Sequence, residues 1–353
     1  MKRVLVTPLD WGLGHATRCI PLIRELQERG CDVFIAGSGS SLELLRDEFP
    51  QLTAFSIAGY EPTYSTGSMI TAMISQLPKF YKAISREHRE IDKLITQNKI
   101  GFIISDNRYG CWTKKIPCAF ITHQSNILMP KRFGWLGKLV SKINGGYMKR
   151  FSVCWIPDYP DGRLSGTMLA FGKTDLKVPY EFIGSVSRLK PVNTLEKKYD
   201  IVAIFSGPEP QRTIFEQIVV DELMNSGLRY FIVRGIVPGR KKDGKANIVD
   251  FLPASELQQV INESEVVIAR SGYSSIMDMA AMGKKAILIP TPGQTEQEYL
   301  AIQLKEKNIA FSMEQKEFDL EKALAETAKY SGFATQQADV SLMKNAMDKF
   351  LGA

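Results

Sequence analysis

Short runs of aliphatic and β-branched residues alternate along the chain with longer stretches whose apolar positions recur at helical spacing. That alternation predicts open parallel sheets covered by helices on both faces. In the first half the strand-like runs fall at 2–7 (Lys-Arg-Val-Leu-Val-Thr), 32–36, 52–57, 101–105 (Gly-Phe-Ile-Ile-Ser), 118–122 and 152–156. The helix between the first two is expected to end at Arg29, with Gly30 as its cap. After a polar stretch, 172–198, that includes Pro179 and Pro191, the pattern restarts with strands at 199–205, 228–233, 246–250, 265–269 and 285–289. The expected fold is α/β: two Rossmann-like doubly wound domains, 1–187 and 188–353, facing each other across a cleft. Ligands are then expected at the carboxyl ends of the strands. The last helix, 338–351, is placed to fold back on the first domain.

Composition narrows the class. With 353 residues, 44% hydrophobic and 24% charged, the chain is globular rather than disordered, collagen-like or coiled-coil. No apolar run approaches the roughly 20 residues that span a bilayer. The opening Met1-Lys-Arg-Val-Leu-Val-Thr-Pro reads as a first strand rather than a signal peptide. Five cysteines form no CxxC pair, so neither zinc nor a disulfide framework is indicated, and a cytoplasmic enzyme or binding protein is expected. Charge is uneven: residues 1–190 hold 26 basic and 16 acidic side chains, and 79–150 hold 15 and 4. This is either a solvated basic face or a surface for anionic lipid or an anionic substrate. Nucleic acid is not expected as a partner, because no recognised binding signature accompanies the charge.

The first βα turn reads Asp10-Trp-Gly12-Leu-Gly14-His15-Ala-Thr-Arg18. Two glycines allow a sharp turn and a close ligand, and an imidazole at the sheet's carboxyl edge suits proton transfer near neutral pH. A histidine that merely packs is the alternative. Asp106, after the run ending at Ser105, either orients His15 as the third member of a triad does or closes an Asx-turn. Thr122-His123-Gln124-Ser125-Asn126 sets hydrogen-bonding side chains in a row at a strand end, suited to a polyhydroxylated ligand or to capping the next helix.

In the second half, strand 265–269 runs into Arg270-Ser271-Gly272, with Ser274, Ser275 and Asp278 beyond. Ser271 reads as an N-cap, and Gly272 lets a phosphate approach the first helical amides. Asp278 then stands about 10 Å further along, at 1.5 Å per residue, where a carboxylate can accept from a ribose diol. A plain helix with serines at its start is the alternative. Pro290-Thr-Pro-Gly-Gln294, followed by Glu296, Gln297 and Glu298, either forks hydrogen bonds onto sugar hydroxyls or opens a helix with favourable acids. Gly207, in a Gly/Pro loop after strand 199–205, is a weaker anion cradle, because prolines remove amide donors. No metal site is expected, and no Asp-x-Asp occurs.

Taken together, these residues resemble the GT-B glycosyltransferases of family 28, over nearly the whole chain. Gly12-Leu-Gly14-His15 is similar to the family's GxGGH acceptor-domain loop, one glycine short, and Pro117 through Asn126 to its HEQN segment. That implies acceptor contacts at Gly12, Gly14, His123, Gln124 and Asn126. Gly184-Ser-Val-Ser-Arg188 resembles the GNPVR linker, implying Arg188 as a donor contact, and Ile248 through Leu252 the segment whose backbone reads uracil. Arg270-Ser271-Gly272…Asp278…Gly283 resembles the RSG…E…G block. Gln297 and Glu298 fall where the family has two donor-touching glutamines. Asp278 replaces a glutamate, Glu298 a glutamine, and Gly207-Pro-Glu a GGS loop. His15 with Asp106 is also similar to the His–Asp pair of family 1, and Gly12 through Arg18 to the GxGHxxR of a nucleotide-sugar hydrolase family.

The resemblance implies inverting, metal-independent transfer of a hexose or hexosamine-type sugar from a UDP-sugar to a hydroxyl acceptor, with His15 as base and no cofactor. Residues 131–150, basic and studded with bulky apolar side chains, either pack inward or lie on an anionic membrane surface. The second case makes the acceptor lipid-linked and the enzyme peripheral at the membrane's inner face. A nucleotide-sugar hydrolase, which would release sugar without an acceptor, and a non-catalytic UDP- or lipid-binding subunit, which would turn over nothing, are the competing readings.

Overall fold

The computed structural model describes residues 1–60, 76–124, 128, 134–166, 169, 178–191, 196–236, 247–333 and 340–352. The chain divides into two units, Met1–Val186 with Asp339–Ala353, and Ser187–Ala338.

The first unit runs β1 (Arg3–Pro8), α1 (Leu13–Glu28), β2 (Asp32–Gly37), α2 (Gly39–Glu48), β3 (Thr53–Ser56), α3 (Leu77–Asn98), β4 (Phe102–Asp106), β5 (Cys118–Ile121), α4 (Gly134–Met148), β6 (Val153–Ile156) and β7 (Tyr180–Phe182). Its strands are all parallel, in the order β3-β2-β1-β4-β5-β6-β7. Val4, Leu5, Val6, Ile103 and Ile104 are fully buried, as expected of central strands covered on both faces. The apolar residues Ala16, Cys19, Ile20, Ile23 and Leu26 give α1 its inward stripe. The helix stops where the left-handed Gly30 lets its amide reach Gln27 O (2.9 Å) and the Cys31 amide reach Leu26 O (3.0 Å), a Schellman ending. The C-terminal helix Val340–Leu351 belongs to this unit, with the Phe350 ring 5.6 Å from Phe102 and 5.2 Å from Trp155. β7 was not expected; Tyr180-Glu-Phe has no apolar run and pairs with β6 at the sheet's edge.

The second unit runs β8 (Tyr199–Ile204), α5 (Gln211–Asn225), β9 (Tyr230–Val233), β10 (Ile248–Val249), α6 (Ala254–Asn262), β11 (Ser264–Ala269), α7 (Tyr273–Met282), β12 (Lys285–Leu288), α8 (Thr295–Glu306), β13 (Phe311–Ser312) and α9 (Leu320–Thr327). Its parallel order is β10-β9-β8-β11-β12-β13. In each unit the order reverses at the first strand, between β1 and β4 and between β8 and β11. Chain segments leaving those strands diverge and open a crevice at the carboxyl edge.

Candidate functional site

In the first unit, β1 and β4 are neighbours with Pro8 opposite Asp106, so residues 91 positions apart in sequence meet at one edge. Gly12 precedes α1 with φ 88°, a left-handed value that favours glycine, and this turn places His15 in the first helical turn. Gly14 sits inside that turn without a positive φ, its carbonyl accepting from Thr17 Oγ1 at 3.0 Å. Of the two glycines expected to shape the turn, Gly12 is therefore the one whose backbone needs it. Asp106 closes β4 rather than following it, and its carboxylate faces His15 and Arg18 rather than forming an Asx-turn.

His15 Nδ1 lies 3.0 Å from Asp106 Oδ1. Arg18, one helical turn after His15, donates from Nε and Nη2 to the two oxygens of Asp106. Its Nη2 also lies 2.7 Å from His15 Nδ1, and its Nη1 3.2 Å from His123 Nδ1. Asp106 is 0% exposed and Arg18 2%, whereas His15 keeps 15%, which leaves the imidazole within reach of a ligand. Burial alone would raise Asp106, but the Arg18 guanidinium and His15 outweigh it and hold the carboxyl at about 2. Burial, reinforced by Arg18, lowers His15 from its ordinary value against the opposing pull of Asp106. The imidazole is thus neutral at physiological pH, the state a general base needs.

His123 is buried just beyond β5, and its place in the cluster comes through Arg18. Gln124 donates its backbone amide to Thr122 Oγ1 (3.1 Å), and its backbone carbonyl accepts from Asn144 Nδ2 (3.4 Å). Ser125 and Asn126 lie outside the described residues. The sequence reading placed Arg18 at the end of a GxGHxxR pattern without assigning it a role; its i+3 spacing from His15 sets both on one helical face.

In the second unit the carboxyl ends of β8, β11 and β12 carry the expected donor residues. Gly272, not Ser271, is the N-cap of α7; Ser271 Oγ instead donates to Gln297 O at 2.8 Å. The Gly272 backbone is extended, and a Cβ added there would lie 4.0 Å from Gln297 Nε2, so α7 and α8 begin side by side. Gln297 spends both ends on its own loop, accepting from Thr291 N at 2.9 Å and donating to Gln294 Oε1. Glu298 accepts from Gly293 N at 2.9 Å. Gly207 is left-handed (φ 106°), with the Thr291 hydroxyl 3.9 Å from where its Cβ would stand. Asp278 accepts from Ser187 Oγ at 2.6 Å; burial raises its carboxyl, opposed by Arg188 and by that bond. Leu252 lies after β10, three strands and roughly 14 Å across the sheet from β11.

Arg270 departs from expectation. Its side chain is 1% exposed and stacks 4.1 Å from the centre of the Phe215 ring. It donates to the carbonyls of Ile289, Pro290 and Gln211 and to Gln315 Oε1 (2.6 Å). Those bonds tie the ends of β11 and β12 to α5, so the guanidinium braces the loops rather than meeting a donor. Among the described residues no cluster of three His, Cys, Asp or Glu side chains could hold a metal, and no helix is long and apolar enough to cross a membrane.

Two doubly wound parallel sheets are the architecture of the GT-B fold. Residues 236–349 match the glycosyltransferase family 28 C-terminal domain. An uncharacterized glycosyltransferase of Methanosarcina acetivorans is 26% identical over 334 residues, covering 86% of this chain and 84% of that one. The UDP-N-acetylglucosamine–N-acetylmuramyl-(pentapeptide) pyrophosphoryl-undecaprenol N-acetylglucosamine transferase of Actinobacillus pleuropneumoniae is 21% identical over 333 residues, covering 90% and 86%. The crystal structure of Acinetobacter baumannii MurG superposes with a TM-score of 0.58 at 13% identity, over the whole of both chains. The chain thus carries a match to the family 28 C-terminal domain and is similar to glycosyltransferases over most of its length.

Proposed function

We propose that this glycosyltransferase moves a hexose or hexosamine-type sugar from a UDP-sugar to a hydroxyl of a lipid-linked acceptor, with inversion and without a metal. The observation that carries the reading is the partly exposed His15 with its Nδ1 3.0 Å from the buried Asp106 carboxylate at the first unit's switch point. In this mechanism His15 Nε2 takes the proton of the acceptor hydroxyl as its oxygen attacks the anomeric carbon. Asp106 steadies the ring from Nδ1, and the bond to the diphosphate breaks. One displacement on one face inverts the configuration. The leaving charge is met by the start of α7 at Ser271-Gly272 and by Arg188, fixed dipoles and charge in place of a cation. Asp278, Gln297 and Glu298 are assigned to the donor's ribose and sugar, Gly207 to its diphosphate, and Leu252 to its base. Gly12, Gly14, His123, Gln124 and Asn126 are assigned to the acceptor.

The name of the Actinobacillus relative supports UDP-N-acetylglucosamine as a first donor to test and a pyrophosphoryl-undecaprenol lipid as acceptor class. The basic first unit supports contact with an anionic inner membrane face. On α4, Leu139 and Ile143 are exposed beside Lys142, followed by Lys149 and Arg150. A second reading, hydrolysis of the nucleotide-sugar, is favoured by Arg18, because His15 with Arg18 reproduces the GxGHxxR pattern of the hydrolases.

A panel of UDP-sugars screened for thermal stabilisation tests the donor; a ligand at 100 Kd adds about 2.7 kcal/mol. With the donor found, product NMR must show the opposite anomeric configuration, and His15→Ala must slow turnover by roughly 10²–10⁴-fold. Near wild-type turnover in His15→Ala removes the base assignment. Rapid release of free sugar without acceptor converts the reading to a hydrolase. Sedimentation with anionic vesicles at low and high salt tests the membrane, and binding insensitive to salt, or none, removes it.

A further inference from the structure

A buried hydroxyl that meets no partner is rare in a folded protein, because the hydrogen bonds it gave up to leave water are not replaced. The second unit carries one at its carboxyl edge. Thr291 is 0% exposed, and its Oγ1 has no hydrogen-bond partner among the described residues. The rest of the residue is engaged: its amide donates to Gln297 Oε1 at 2.9 Å, and its carbonyl accepts from Gln294 N at 3.0 Å. The two residues before it are held as well. Ile289 N donates to Ala269 O at 2.9 Å, and Arg270 donates to the carbonyls of Ile289 and Pro290. Thr291 is therefore fixed in place with one polar group left over.

That group faces Gly207, whose left-handed backbone (φ 106°) favours a residue without a side chain. A Cβ built on Gly207 would stand 3.9 Å from the Thr291 hydroxyl and, its chain neighbours aside, would meet nothing else within 4 Å. The missing side chain thus leaves a hollow with the hydroxyl in its wall. β11 lies between β8 and β12 in the sheet, so Gly207, after β8, and Thr291, after β12, come together across the end of β11. There α7 begins at Gly272, and its first amides have no acceptor within the helix. Helix amides, a glycine that admits close approach and an unpaired hydroxyl together suit an anionic oxygen. Resting on the reading of the second unit as the donor's, we propose that Thr291 is a donor-contact residue: its hydroxyl donates to a diphosphate oxygen of the nucleotide-sugar, lodged between Gly207 and the start of α7. The hydroxyl breaks no bond within the protein to do so, and a bond to a charged oxygen is stronger than one to a neutral group. Gln297, by contrast, already spends both ends of its side chain on the loop.

Titration calorimetry of the full chain with UDP, and urea unfolding of the unliganded protein, test the assignment independently. Thr291→Val keeps the shape and removes the hydroxyl, whereas Thr291→Ser keeps the hydroxyl and removes a methyl. Thr291→Val is expected to weaken UDP binding by roughly ten- to a hundredfold, the worth of one hydrogen bond to a charged group, and Thr291→Ser by less than about threefold. Because the hydroxyl has no partner to lose in the unliganded protein, Thr291→Val should leave the urea midpoint unchanged or raise it. UDP binding by Thr291→Val as tight as wild type, or by Thr291→Ser as weak as Thr291→Val, overturns the proposal while the donor reading stands. A lowered urea midpoint in Thr291→Val, or failure of that variant to fold, means that the hydroxyl is bonded within the protein, and this too overturns the proposal. Wild type that does not bind UDP overturns the donor reading itself, and the Thr291 contact with it.

Discussion

Glu87→Gln is expected to destabilise the first unit far more than its small change in shape suggests. Glu87 and Arg108 form a fully buried ion pair, 1% and 0% exposed. Arg108 donates from Nε to Glu87 Oε1, from Nη1 to Pro8 O (3.2 Å) and Ser38 Oγ (3.3 Å), and from Nη2 to Ala58 O. Glu87 Oε2 accepts from Tyr60 OH and Gly110 N, both at 2.8 Å. One pair thereby pins the chain as it leaves β1, β2, β3 and β4, the edge that also carries His15. A carboxamide keeps one of the two acceptor oxygens, sets an NH2 against the donors that met the other, and strands the guanidinium. Two unit charges about 4 Å apart at an effective dielectric near 20 interact by about 4 kcal/mol, and breaking buried pairs costs roughly 3–5 kcal/mol. At 2–4 °C per kcal/mol for a unit of this size, the calorimetric midpoint should fall by roughly 6–20 °C. Adding Arg108→Met removes the stranded charge, so the double variant should fall short of the summed single losses by about 2–3 kcal/mol. A drop under about 2 °C in Glu87→Gln, or strictly additive single and double variants, refutes the argument.

Asp106, held at about 2 against an ordinary 3.8, contributes stability that is complete above the unfolded value and is lost as pH falls through the folded one. The contribution is about 2 kcal/mol, and urea unfolding of Asp106→Asn should lack this acid limb; an unchanged limb places it elsewhere. Gly110→Ala would put a Cβ 2.5 Å from both Glu87 Oε2 and Ile84 O, so a loss of about 1–3 kcal/mol is expected, and a neutral denaturation midpoint refutes it. Arg270→Lys cannot remake four bonds to loop carbonyls and Gln315; it should cost about 2–4 kcal/mol in urea unfolding while the folded protein still binds UDP. Loss of UDP binding with stability intact would make Arg270 a donor contact after all.

The sequence showed most where local chemistry suffices. Runs such as Val-Leu-Val and Phe-Ile-Ile-Ser are legible as strands because central parallel strands are apolar on both faces. β13, with Phe311 and Ser312, escaped for the same reason as β7: an edge strand of two or three residues carries no run to read. Gly30 was legible as a helix end because a left-handed terminus is a local demand. His15 and Asp106 were legible as a pair because both sit at carboxyl ends, and the doubly wound order makes their strands neighbours. Residues defined by distant partners were not legible. Arg270 looked like a donor contact until the carbonyls it braces, up to 59 positions away, were in view. Arg18 was legible only as the last residue of a GxGHxxR pattern, yet it joins Asp106 and His123, 88 and 105 positions away. The same long reach that hides such a residue in the sequence lets one buried charge act on both Asp106 and His15, lowering each from its ordinary value.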